Sequence, residues 1–68
     1  MKPGEIRDVL VRSGYAVVRQ KGSHIHLRAE GRKPITLSLQ SGELAPGLVR
    51  KILVRDARLT EEQIKQLR

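Results

Sequence analysis

Both histidines of the chain crowd with a lysine, a serine and an arginine into one octet, KGSHIHLR, residues 21–28. Polar and apolar side chains alternate through it. Successive side chains of a strand point to opposite faces, so His24, His26 and Arg28 share one face and Ile25 and Leu27 the other. Imidazole is suited to proton transfer near neutral pH, and cationic groups stabilise charge developing on phosphoryl oxygens. Such a set can move a proton beside a bound phosphate. Two histidines at i, i+2 could also share a metal, but a closed site needs more ligands. The chain has no cysteine and no third histidine, and no carboxylate lies close in sequence. Ser23 adjoins His24 and so points to the other face of a regular strand, away from a nucleophile–base geometry. GEIRDVL and GSHIHL match no Gly-rich phosphate loop. Cleavage of RNA asks for the least: the 2′-hydroxyl is itself the nucleophile, and the protein need only shuttle protons and stabilise the crowded phosphorus. A plain solvated strand face is the competing reading of the same residues.

The elements that must position this octet are legible in the periodicity. Pro3 suits a first helical turn, Glu5 and Asp8 suit its positive end, and Ile6, Val9 and Leu10 form one stripe. Gly14 is placed to end the helix in a left-handed conformation, so residues 3–13 read as a short amphipathic helix. YAVVRQK, residues 15–21, is rich in strand formers but apolar on both faces. Gly22 breaks it as a tight hairpin turn or a bulge. Strand 23–29 follows, then turn chemistry in EGRKP, then ITLSL, residues 35–39, with Ile35, Leu37 and Leu39 inward and Thr36 and Ser38 outward. LVRKILVR reads as a second helix with Leu48, Val49, Ile52 and Leu53. Thr60 and Gln63 fit a capping box for a last short helix. The order predicts an α+β fold, αβββα, with a three-stranded antiparallel sheet covered by helices on one face. The expected core is Ile6, Val9, Leu10, Val17, Ile25, Leu27, Leu37, Leu39, Val49, Ile52 and Leu53.

With 68 residues the chain is expected to be one domain, residues 1–68. A domain of that size buries only about 60% of its unfolded surface, and here without disulfides. The net charge is +7, which favours a polyanionic partner. Residues 12–33 carry Arg12, Arg19, Lys21, Arg28, Arg32 and Lys33 against the single acid Glu30. Arg19, Lys21 and Arg28 are the expected phosphate contacts; Arg32 and Lys33 fit a solvated turn equally well, and Arg50 and Lys51 the surface of a helix. Tyr15 is the sole aromatic residue, so binding that stacks bases on rings is disfavoured. The charged start MKPGEIRD has no signal-type apolar run, and no stretch approaches the roughly 20 apolar residues that span a bilayer. The expectation is cytoplasmic, with no membrane partner.

In order along the chain, "SGYAVVRQ", "RQKGSHIHLR", the loop "SGELAPG" and "LVRKIL" resemble the HicA-type mRNA interferases, the small toxins of HicA–HicB toxin–antitoxin systems. The likeness covers about residues 4 to 64. It implies a fold similar to double-stranded-RNA-binding domains. It also implies metal-independent cleavage of mRNA, with the histidine of the GSH motif, here His24, as general acid or base. Lys21, Gly22 and Ser23 occupy matching motif positions; His26 lies where the family varies and is read as an RNA contact. The implied partners are RNA and a HicB-type antitoxin, expected to be acidic and to cover the His24 face; no cofactor is implied. Many relatives carry P-x-H where this chain has Ser38 to Gln40, so Gln40 replaces a second imidazole, and Leu48 stands where relatives often have Thr. A non-catalytic double-stranded-RNA-binding module on the same fold is the alternative.

Overall fold

Helix α1 (Pro3–Arg12) starts where the sequence predicts, with Pro3 in its first turn. The Lys2 amide donates to Glu5 Oε1 at 3.1 Å, which satisfies one donor that no helical carbonyl can reach. The computed structural model describes residues 1–68. Ile6, Val9 and Leu10 are fully buried along one side of α1. The helix stops at Gly14, whose φ of +114° lies outside the range of ordinary L-residues. A Cβ there would also stand 2.7 Å from an Arg32 guanidinium nitrogen. The backbone therefore calls for glycine, and any larger side chain would also push against the Arg32 guanidinium.

Three strands follow, β1 (Ala16–Lys21), β2 (His24–Arg28) and β3 (Ile35–Ser38), paired antiparallel in the order β1-β2-β3. Lys21 pairs with His24, leaving Gly22 and Ser23 as a two-residue loop. Gly22 at φ +59° followed by Ser23 at negative φ fits a type II′ turn, whose twist matches that of the strands it joins. The irregularity in this ladder lies elsewhere, between Val17 and Arg19, where Val18 is the extra residue.

Helix α2 (Pro46–Arg50) runs directly into a π-helical segment, Lys51–Asp56. The second helix thus begins two residues before the predicted 48, with Pro46 in its first turn. Its second half is wider than an α-helix: the Ala57 amide donates to the Ile52 carbonyl five residues back, at 2.9 Å. The wider turn lets Ile52, Leu53 and Ala57 all reach the core. Helix α3 (Glu61–Leu67) carries the expected capping box: the Gln63 amide donates to Thr60 Oγ1 at 3.1 Å and the Thr60 amide to Gln63 Oε1 at 2.8 Å.

The core is the aliphatic cluster of the predicted helix and strand positions, enlarged by Tyr15, Ile35, Ala57 and Leu59. Three expected members lie outside it. Val17 is 44% exposed, because β1 is an outer strand whose residues are all exposed. Leu39 and Val49 are half-buried and pack against the core from its rim. Leu39 follows the last residue of β3, and Val49 lies on the first turn of α2. No helix is long and apolar enough to cross a membrane.

Candidate nucleic-acid interface on the open sheet face

Directly paired residues of an antiparallel sheet point to the same side, with Cβ atoms about 5 Å apart. The register therefore arranges the open face in rows. Lys21, His24 and Ser38 form one row across β1, β2 and β3; Arg19, His26 and Thr36 form the next; Ala16 and Arg28 form the third. Ile25 and Leu27, with opposite orientation, are 1% and 0% exposed. The alternation read from the octet is thus the alternation of the strand, and His24 is on the solvent side.

The two imidazoles are held differently. Thr36 Oγ1 lies 3.1 Å from His26 Nδ1, and His26 is only partly exposed. His24 is exposed, begins β2 immediately after the tight turn, and adjoins Lys21 and Ser38. Gly22 and Ser23 place it there. The Gln20 side-chain amide donates to the Gly22 carbonyl at 3.2 Å and braces the turn. Sequence reading named the turn but missed Gln20, because a lone glutamine in a strand carries no periodic signal. It also read Thr36 and Ser38 as outward without placing them beside the histidines; that step needs the register.

Charge completes the picture. No Asp or Glu occurs in any of the three strands. Arg19, Lys21 and Arg28 take part in no ion pair, whereas Arg7, Lys33, Arg50, Lys51 and Arg68 each have a carboxylate partner. The open face is a strip of unneutralised cations, hydroxyls and imidazoles. No three His, Cys, Asp or Glu side chains converge anywhere to hold a metal ion. Gln40 follows β3 at the His24 end, where the Leu39 amide donates to the Ser23 carbonyl at 2.7 Å. It is exposed there.

Two cations of the basic segment lie elsewhere. Arg32 stacks over the Tyr15 ring, its Cζ 4.6 Å from the ring centroid. It donates to the Ser13 carbonyl at 2.7 Å, to Ser13 Oγ at 3.3 Å and to the Ala57 carbonyl at 3.4 Å. Arg32 is thus a clamp between the end of α1 and the π-helical segment, where a solvated turn was one expectation. Lys33 shares Asp56 with Lys51, at 3.9 and 3.7 Å. Tyr15 Oη donates to the Lys33 carbonyl at 2.8 Å. Burial pushes the Tyr15 phenol above its ordinary 10.0, against the opposing pull of Arg32.

With this geometry in place, a family model described as the HicA toxin of bacterial toxin-antitoxin matches residues 4–59. Nothing among curated proteins matches the chain. The matched span takes in α1, all three strands, α2 and the π-helical segment, and leaves α3 outside.

Proposed function

The chain belongs to the HicA toxin family of bacterial toxin–antitoxin systems, and from that premise we propose that it is a metal-independent endoribonuclease of mRNA in which His24 transfers the proton. One observation carries the reading: the exposed imidazole of His24 sits between Lys21 and Ser38 on a sheet whose strands contain no acid. A phosphodiester is drawn to that strip, and Arg19, Lys21 and Arg28 hold the chain by its phosphates. His24 takes the proton of the 2′-hydroxyl as that oxygen attacks the adjacent phosphorus. The P–O5′ bond breaks, and the departing oxygen gains a proton, from solvent or returned by the imidazolium. The products are a 2′,3′-cyclic phosphate and a 5′-hydroxyl. Lys21 faces the charge that builds on the phosphoryl oxygens. His26, bonded to Thr36, contacts RNA with a ring whose orientation that bond restricts, and Gly22 and Ser23 contribute the turn backbone that brings the phosphate near.

A toxin of this class implies a cognate antitoxin. We take it to be HicB-like and acidic, seated over the His24 strip, and we place the encounter in the cytoplasm, where mRNA is. Opposite charges favour that docking and speed it.

The test is cleavage of a defined RNA by purified protein, with and without a chelator, beside His24→Ala. Expected is chelator-resistant cleavage that leaves cyclic-phosphate ends and that His24→Ala loses. RNA binding without cleavage would select the non-catalytic binding module instead. Full activity in His24→Ala, or efficient cutting of DNA lacking the 2′-hydroxyl, would overturn the mechanism.

A further inference from the structure

A second cluster of cations occupies the helical side of the molecule. Arg12, Arg32 and Arg58 line one open cavity of about 380 Å³ together with Ser13, Gln63 and Gln66. No acidic residue lines it, and none of the three arginines takes part in an ion pair. The cavity lies away from His24: Arg32 belongs to the turn that follows β2, and His24 begins that strand. Arg32 is pre-oriented by Ser13, Ala57 and the Tyr15 ring. Arg12 donates once, to the Leu67 carbonyl at 2.8 Å, and Arg58 makes no hydrogen bond with the rest of the chain. A guanidinium has five N–H donors, so most of those around this cavity are unused.

The backbone supplies an independent observation. Arg58 is the one non-glycine residue at positive φ, +59°. It sits just past the π-helical segment, where glycine ordinarily closes a helix without strain. The flanking amides fix it there: Ala57 donates to the Ile52 carbonyl and Leu59 to the Leu53 carbonyl, both at 2.9 Å. A strained position that keeps a long cation in place of glycine is accounted for when the cation is used.

We propose that Arg12, Arg32 and Arg58 form a phosphate-binding site separate from the His24 strip. Two largely free forks, Arg12 and Arg58, beside the fixed positive charge of Arg32 suit an oxyanion with several acceptor oxygens. The phosphate belongs either to an RNA backbone that continues past the sheet or to free inorganic phosphate. The RNA source rests on the function proposed above; the inorganic source does not.

Arginine Nε–Hε resonances are followed by NMR during titration with inorganic phosphate, and separately with a 2′-O-methyl RNA that cannot be cleaved. Arg12, Arg32 and Arg58 are expected to shift with phosphate while Arg55, an exposed arginine that does not line the cavity, stays unmoved. RNA producing the same shifts assigns the phosphate to its backbone; phosphate alone producing them assigns the site to the free ion. Arg58→Gly suits the local φ and is expected to keep the melting temperature. If RNA is the source, it lowers the salt dependence of RNA binding, log K against log salt, by about 0.7 per phosphate lost. Arg12→Gln provides a second variant remote from the strained position. The site is refuted if neither ligand shifts the three resonances; its assignment to RNA is refuted if Arg55→Gln weakens RNA binding as much as Arg58→Gly. Because the phosphate titration uses no RNA, loss of the ribonuclease reading would leave its result standing.

Discussion

The sheet separates two ways of using arginine. On the open face Arg19 and Arg28 stand in rows with imidazoles and hydroxyls, with no carboxylate beside them. On the covered side Arg32 lies on the only aromatic ring, bonded to carbonyls of two elements, while Asp56 bridges two lysines. Arg32 substitutes for core that a 68-residue chain lacks. The open-face cations add nothing comparable to the fold, and their uncompensated charge is free for a partner. Side-chain type does not distinguish the two groups; the partners each finds do.

Substitutions on each side can break that division. His24→Ala is expected to lose at least ~10²-fold in cleavage rate, or about 2.7 kcal/mol of transition-state stabilisation, with an unchanged thermal midpoint. A drop in stability of the same size would place His24 with the structural residues. Arg32→Ala is expected to do the reverse. Losing its stacking and hydrogen bonds costs about 2 kcal/mol in urea unfolding, with the cleavage rate of the folded protein at saturating RNA retained. Arg32→Lys recovers little, because an ammonium cannot reproduce the planar fork. Next come Arg19→Gln, Lys21→Gln and Arg28→Gln. Each is expected to leave the urea midpoint alone and to lower the salt slope of RNA binding by about 0.7; Arg7→Gln, already paired with Asp8, serves as the control that leaves the slope alone.

The smallest effect sharpens the covered side. Tyr15 has its phenol pKa raised above 10.0 in the folded protein. An acid whose folded pKa exceeds its unfolded one favours the fold in its neutral form. That contribution is fully present below about pH 10 and is lost as pH rises through the folded value. Tyr15→Phe is expected to flatten the alkaline limb of a stability–pH curve; an unchanged limb would assign it to other groups.

Much of this is legible in the sequence. The i, i+3, i+4 stripe of Ile6, Val9 and Leu10 gave α1, and strict alternation at 24–28 gave both the strand and its exposed face. Gly22 and Gly14 marked a turn and a helix end because few other residues tolerate those angles. What stayed illegible depends on contacts distant in sequence. Tyr15 and Leu59 are buried by elements far along the chain, and Val17 is left exposed by their absence over β1. The wide helical turns at 51–56 leave no mark on a 3.6-residue period over so short a stretch. Of the candidate site, residue types and their common face were readable; the rows that put Ser38 beside His24 and Thr36 beside His26 were not, because register is set by both turns together.

The exposure of β1 has a consequence for how the open face moves. Every residue of β1 is exposed, and in the sheet the strand is joined to β2 alone, while β2 is flanked on both sides and buries Ile25 and Leu27. Local opening is easiest where few buried contacts must be given up. Arg19 and Lys21 therefore ride on the part of the sheet that detaches most readily, and His24 on the part that detaches last. In amide hydrogen exchange this reads as early labelling of residues 16–21 and late labelling at Ile25 and Leu27. A ligand that bridges Lys21 and His24 would erase the difference.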